Sequence, residues 1–309
     1  MSGIVCTTHT PYDGSSAPFS IGLRPLDPAR WLEIDTHYEA YLAEKRRLVA
    51  AMRENVFVAE DGTRGAQTEV FSLVRDALVG GFPSLFPGTR QWEAALAALD
   101  AAGSGGEAPL LAASLLVQED LVLMCKGETG WRLAAASLCF PSSWTLTEKF
   151  GLAIDDIHGP VPGFGRGNRA ATLINRIFDN LKPGHPAERL NWSLQIDDAL
   201  YKPLSGLQRN ERATARPPRF PGDDPAASAF IRVERQTLTR LPLSGDILFT
   251  IRIFLDPMKV LAGHHDRAKL CLSFAAQLSA LDAAQLDYKG LAADRDRLVA
   301  ALERMARSG

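Results

Sequence analysis

The sequence predicts an α+β fold in which a five-stranded antiparallel sheet is interrupted midway by helices and flanked by helical segments at both ends. Three observations predict it. Five strand-like runs fall between residues 115 and 256. Loops with turn residues join four of those runs into two hairpins. Apolar residues at helical spacing fill the chain before, between and after the strands.

Residues 1–30 read as irregular, because PYDGSSAPF and LRPLDP supply turn residues. Asp27 with Pro28 reads as an N-cap and a first-turn proline. A helix over about 29–55 follows, with Trp31, Ile34, Tyr38, Tyr41 and Leu48 near helical spacing. Asp61-Gly62 is a turn, 65–79 read as helix up to Gly80-Gly81, and a short helix is expected over 90–101. AAGSGGEAP is a flexible break before residue 110.

EDLVLMC (119–125) and WRLAAASLCF (131–140) are strand-like and are joined by KGETG, a five-residue loop with two glycines. Thr145 and Glu148 have capping-box spacing and start a short helix that Gly151 can end. A further helical turn carries Asp155, Ile157 and His158, and Asn168 can cap a helix over 169–182 whose Ile174, Ile177, Phe178 and Leu181 form one apolar face. NWSLQID (191–197) alternates Trp192, Leu194 and Ile196, and a polar Pro- and Arg-rich stretch to about 228 reads as a surface loop. FIRVERQTLTRL and DILFTIRIFL form a second hairpin around PLSG. The last helix is amphipathic and covers 294–306. Strand, strand, three short helices, then three strands is the element order of a PAS domain, whose helical insertion covers one sheet face and leaves a pocket between the layers. The expected organisation is an N-terminal helical region (1–109), a PAS-like core (110–258) and C-terminal helices (259–309).

Composition narrows the function. The 309 residues are 46% apolar and 23% charged with a net charge of −2, which favours neither nucleic acid nor an anionic membrane. No apolar run reaches the roughly 18 residues of a membrane span, and the N-terminus lacks signal-peptide character. Cys6, Cys125, Cys139 and Cys271 are scattered without a C-x-x-C pair. That argues against a zinc site, an iron–sulfur cluster or covalent haem on this chain, and fits a reducing cytoplasm.

His158 is the sharpest candidate for chemistry. It ends an apolar helical turn, and Gly159-Pro160-Val161-Pro162 then fixes its direction. A helix-end histidine bonded to a carbonyl and an iron-ligating imidazole in an apolar slot both fit this pattern. Asp155, three residues earlier, could orient the ring. His264-His265-Asp266 reads as solvated surface, since adjacent helical histidines point about 100° apart. His185 is a weak second axial candidate, and no partner is evident for His9 or His37. Gly163-Phe164-Gly165-Arg166-Gly167 follows prolines and reads as a mobile loop, not a dinucleotide fingerprint. Between Ile231 and Leu241, alternation places Arg232, Glu234, Gln236 and Arg240 on one face and Arg235 on the other, so neither face is cleanly apolar. Cross-strand ion pairing on a wet face and a polarised ligand pocket both account for that.

Together PYDGSSAPFSIGLRPLD, WLEID with EKRRL, LVQEDLVLM, LCFPSSW with EKFG, IHGPVPGF, NWSL and RVERQTLTRLPLSGDILFTIR resemble the α subunit of haem-dependent oxidative N-demethylases, also described as dimethylamine monooxygenase. The resemblance runs from about residue 11 to 256. It implies a haem-b-binding PAS-type enzyme that uses O₂ and NADPH-derived electrons to oxidise dimethylamine to methylamine and formaldehyde. It also implies partner subunits that carry FMN, a [2Fe–2S] centre and tetrahydrofolate, hence a reductase and a folate-binding subunit. By position, His158 becomes the proximal haem and metal ligand. Arg232, Glu234 and Arg235 become candidates for the pocket and the haem propionates: Glu234 as partner of a protonated amine, Arg232 as a clamp for charge developing on bound oxygen, Arg235 as a cofactor contact. The alternative is a non-catalytic haem PAS sensor of gas or small molecules, which the lack of an output module in these residues disfavours.

Overall fold

A computed structural model describes residues 7–83, 107–206, 208 and 217–308. Its centre is a mixed α/β arrangement around one sheet of seven antiparallel strands, two more than the sequence reading expected. The strands are β1 (Arg24–Pro25), β2 (Phe57–Ala59), β3 (Asp120–Gly127), β4 (Gly130–Ser137), β5 (Ala187–Gln195), β6 (Phe230–Arg240) and β7 (Ile247–Pro257). Their order is β1-β5-β6-β7-β3-β4-β2. The two added strands are the edges. With two and three residues each, they are too short to give a period-two signal.

The helices are α1 (Tyr38–Val56), α2 (Arg64–Gly81), α3 (Pro109–Ser114), α4 (Leu146–Lys149), α5 (Ile154–Ile157), α6 (Arg169–Asn180), α7 (Arg267–Ser279), α8 (Ala283–Lys289) and α9 (Arg295–Arg307). Pro28–Arg30 forms only a 3₁₀ turn on the Asp27 cap, and α1 starts ten residues later than its first-turn proline suggested. The helix expected over 90–101 lies outside the described residues. The β3–β4 turn is tighter than a five-residue loop, because Gly127 pairs with Gly130 and leaves Glu128-Thr129 at the tip. Gly130 makes this possible with φ of 117°, a backbone region other residues rarely adopt. The Thr145–Glu148 capping box does not form. Thr145 makes no side-chain cap, and Glu148 instead accepts the Gly206 backbone N–H at 3.1 Å.

Both sheet faces are covered. One carries Val122, Met124, Leu133, Leu238, Ile251 and Ile253 against α1 and the α4–α6 insertion. On the back face, α2 and α3 pack on Leu121, Leu123, Ala135 and Leu248, while the C-terminal helices pack on Trp192, Leu194, Ile231 and Val233. Between those two apolar clusters runs an ionic seam. Arg235 and Arg252 stand directly opposite each other on β6 and β7. Arg235 bonds Glu188 at 2.8 Å and the carbonyls of Arg30 and Trp31 at 2.6 and 3.1 Å, with Glu33 at 3.2 Å. Arg252 pairs with Asp35 at 2.7 Å and lies between the rings of Tyr41 and Phe254. The segment 30–35 is thereby strapped across the back of the sheet. Among the described residues no helix is long and apolar enough to cross a membrane.

Candidate ligand cavity and its histidine

A cavity of about 530 Å³ lies between the covered face of the sheet and the α4–α6 insertion, a size typical of small-molecule and cofactor sites. Alternation decides which strand residues reach it. β5 offers Arg189, Asn191 and Ser193; β6 offers Glu234, Gln236 and Leu238; β7, β3 and β4 offer Phe249, Ile251, Val122, Met124 and Leu133. These are register partners on one face, as in Arg189 opposite Gln236 and Asn191 opposite Glu234. Phe19, Ile21 and Leu23 from the N-terminal segment close one side.

His158 lines this cavity from the helical side. The four-residue α5 delivers it, and its backbone N–H closes the turn on the Ile154 carbonyl at 3.0 Å. The following prolines stop the helix, and the Val161 N–H returns to the His158 carbonyl at 2.8 Å. The glycine-rich stretch folds back on this brake, so that a Cβ on Gly165 would sit 3.3 Å from Gly159 Cα. The approach leaves little room for a side chain at position 165.

The imidazole has no hydrogen-bond partner among the described residues, and its Nδ1 is buried. Phe164 packs edge-on at 6.2 Å. Asp155 does not orient the ring, because it accepts the Asn175 amide at 2.7 Å instead. Burial, reinforced by the cations Arg189 and Lys149, pushes the His158 pKa down to about 4. The side chain is therefore neutral at physiological pH, the form that binds metal.

The other residues singled out from sequence divide sharply. Glu234 lines the cavity and is the one carboxylate among its described lining residues. Arg232, two residues before it, does not line the cavity. It is fully buried and holds the carbonyls of Phe140 and Leu200 at 2.6 and 3.2 Å, with its Nε 3.8 Å from Glu234. Its place in the wall, outside the cavity lining, corrects the expectation that it faces the ligand, and its Nε is buried without a hydrogen-bond partner. Arg235 is corrected more strongly. The period of two puts it on the back face inside the ionic seam, with the sheet between it and the cavity.

His185 is exposed in its turn. His264, His265 and Asp266 do bring ligand atoms within 4.8 Å of one another. They lie near the surface, where His264 Nδ1 already accepts the Asp266 N–H. His9, for which sequence offered no partner, bonds Glu33 at 2.7 Å.

Sequence reasoning missed Arg189 and Lys289, whereas Gln236 does share the face of Glu234 that alternation assigned to it. Arg189 was discoverable: A-E-R-L-N-W-S-L alternates from Ala187, and starting the strand there places Arg189 beside Asn191 and Ser193. Lys289 reaches the cavity from the end of α8, and no local pattern could link it to β5.

The residues present fit a haem. The donor set is one neutral, unpartnered imidazole; the surrounding wall is mostly aliphatic and aromatic; and Arg189, Glu234 and Lys289 bring charge to the β5 side, with Lys149 on the helical side. A family model described as haem-dependent oxidative N-demethylase, alpha subunit-like, matches residues 22–299. With nine-tenths of its length so matched, the chain belongs to the haem-dependent oxidative N-demethylase alpha-subunit-like family.

Proposed function

We propose that this chain is the haem-binding subunit of an oxidative N-demethylase. It would act on a small methylated amine such as dimethylamine, using O₂ and NADPH-derived electrons, and release methylamine and formaldehyde. One observation carries the reading: a neutral imidazole with no protein partner faces a largely apolar cavity in a chain of this family. The five inner strands, in the order β5-β6-β7-β3-β4 with α4–α6 inserted between β4 and β5, support a PAS-like core that holds its ligand between sheet and helices.

When bound, haem b supplies the iron centre at which O₂ is activated for oxidation of an N-methyl group. His158 holds the iron, kept deprotonated by burial and kept in direction by Pro160 and Pro162. Val122, Met124, Leu133, Phe249 and Ile251 form the dry wall that excludes water from the reacting amine. Glu234 receives the protonated amine, since an ammonium taken out of water needs an anion. Arg232 positions Glu234 and the Phe140 and Leu200 carbonyls from behind. Electrons and the formaldehyde product call for partner subunits with FMN, a [2Fe–2S] centre and tetrahydrofolate: a reductase and a folate-binding subunit, in a reducing cytoplasm.

The test is spectroscopic first. Purified protein, as isolated and after adding haemin, is expected to show a Soret band that His158→Ala shifts or abolishes. A wild type with no Soret band in either condition overturns the haem reading. With haem bound, dimethylamine is expected to perturb the spectrum, and an added reductant with O₂ to release formaldehyde. Unchanged spectra and no formaldehyde leave a sensor as the better account.

A further inference from the structure

Polarity in the cavity is graded along the sheet. Beneath β4, β3 and β7 the strand residues facing it are Leu133, Val122, Met124, Phe249 and Ile251, with no charge. Toward β5 the lining turns polar with Glu234, Gln236, Asn191 and Arg189, and Lys289 enters from α8 at that same end. Arg189 is largely buried, and its Nε has no hydrogen-bond partner. Its electrostatic partners are Glu234 and Tyr288. Lys289 donates to the Trp192 carbonyl at 2.6 Å, lies over the Trp192 ring at 4.4 Å, and faces the same Glu234.

Glu234 already accepts the Gln236 amide at 3.0 Å and has Arg232 at 3.8 Å. One carboxylate thus serves three cations, two of which line the cavity. Uncompensated buried charge is costly, and burial pulls the Lys289 pKa down to about 8, with Glu234 opposing. An anionic ligand would relieve this imbalance. A guanidinium fork beside an ammonium is also well matched to carboxylates.

We infer that Arg189 and Lys289 form a carboxylate-holding pair that receives the anionic edge of the cavity's ligand, while the wall beneath β3 and β4 takes its apolar edge. The assignment rests on the haem reading and deepens it, because haem carries two propionates on one edge of an otherwise apolar macrocycle. With the propionates on Arg189 and Lys289, the Glu234 carboxylate is left to the protonated amine. The pair takes over the role that sequence reasoning had given to Arg235.

The experiment compares haemin with haemin dimethyl ester, whose propionates are neutral. Soret titrations of the apoprotein would be run on wild type, Arg189→Gln, Lys289→Met and the double variant. Wild type is expected to bind haemin about tenfold or more tightly than the diester, the scale of one charge-assisted contact. The double variant is expected to lose that preference while binding the diester as wild type does, and Arg189→Lys is expected to retain part of it. Equal wild-type affinity for both porphyrins overturns the pair while haem binding stands, as does a double variant with the full preference. A wild type that binds neither porphyrin overturns the haem reading itself. The wild-type comparison needs no variant, so it decides even where a substitution impairs folding.

Discussion

Arg235 and Arg189 are both largely buried arginines on neighbouring strands, one on each face of the same sheet, and their surroundings are opposite. On the back face Arg235 bonds two carbonyls and Glu188, with Glu33 beside it. On the cavity face Arg189 has an unpaired Nε and shares one carboxylate with Lys289. A satisfied buried guanidinium fixes structure, because each of its donors has a place to go. One left short within a cavity marks the place for a ligand. The same residue type, one register position apart on neighbouring strands, serves the fold on one side and the site on the other.

Substitutions can break this contrast, and the largest effect is expected on the back face. Arg235→Met leaves Glu188 with only the exposed Arg24 and Glu33 with only His9, takes the donor from the Arg30 and Trp31 carbonyls, and should cost about 3 kcal/mol in urea unfolding. A loss under 1 kcal/mol would mean the seam is not what holds segment 30–35. On the cavity face, Glu234→Gln removes the shared anion and should cost the apoprotein about 2–3 kcal/mol. Adding Arg189→Met to that variant should recover part of the loss, and strictly additive effects would show that the two side chains do not interact.

A further effect is expected from pH. The Lys289 ammonium is disfavoured by burial, so its folded pKa of about 8 lies below the ordinary 10.5. Below pH 8 the lysine is charged in both states and the full burial cost is present. Above 10.5 it is neutral in both and the cost is gone. Wild type should therefore gain on the order of 2–3 kcal/mol relative to Lys289→Met as pH rises from 8 to 10.5. A flat difference would place the amine in water. The smallest effect is expected for Arg189→Met, which removes an under-satisfied cation and should leave apoprotein stability within about 1 kcal/mol or raise it.

Much of the fold was legible because its long strands and hairpins carry strong local patterns: DLVLMC, ILFTIRIF and the turn around Gly130 all fall where period and glycine place them. The edge strands were not, since Arg24–Pro25 and Phe57–Ala59 acquire strand character only by pairing. The end of α5 at His158 was legible from its proline brake, and the structure places that residue at the cavity. The oddity of β6, with no apolar face, also has a physical origin: one face lines a polar stretch of cavity and the other an ionic seam. Arg235 was drawn into the site by the motif it belongs to, although alternation had already set it on the face opposite Glu234. Lys289 belongs to a helix nearly a hundred residues beyond β5, and only the packed chain brings them together.

The N-terminal segment joins the two faces of the sheet. Phe19, Ile21 and Leu23 form part of the cavity wall, and a few residues later the same stretch is clamped to the back of the sheet by Arg235. Between wall and clamp its backbone is held by the two-residue β1 and by the Leu26 N–H bonded to the Pro186 carbonyl at 2.9 Å. Leu26, midway along it, is buried in the back-face cluster with residues of α2 and α3. One short stretch thus couples the rim of the cavity to the packing of the opposite sheet face, so that loosening one end loosens the other.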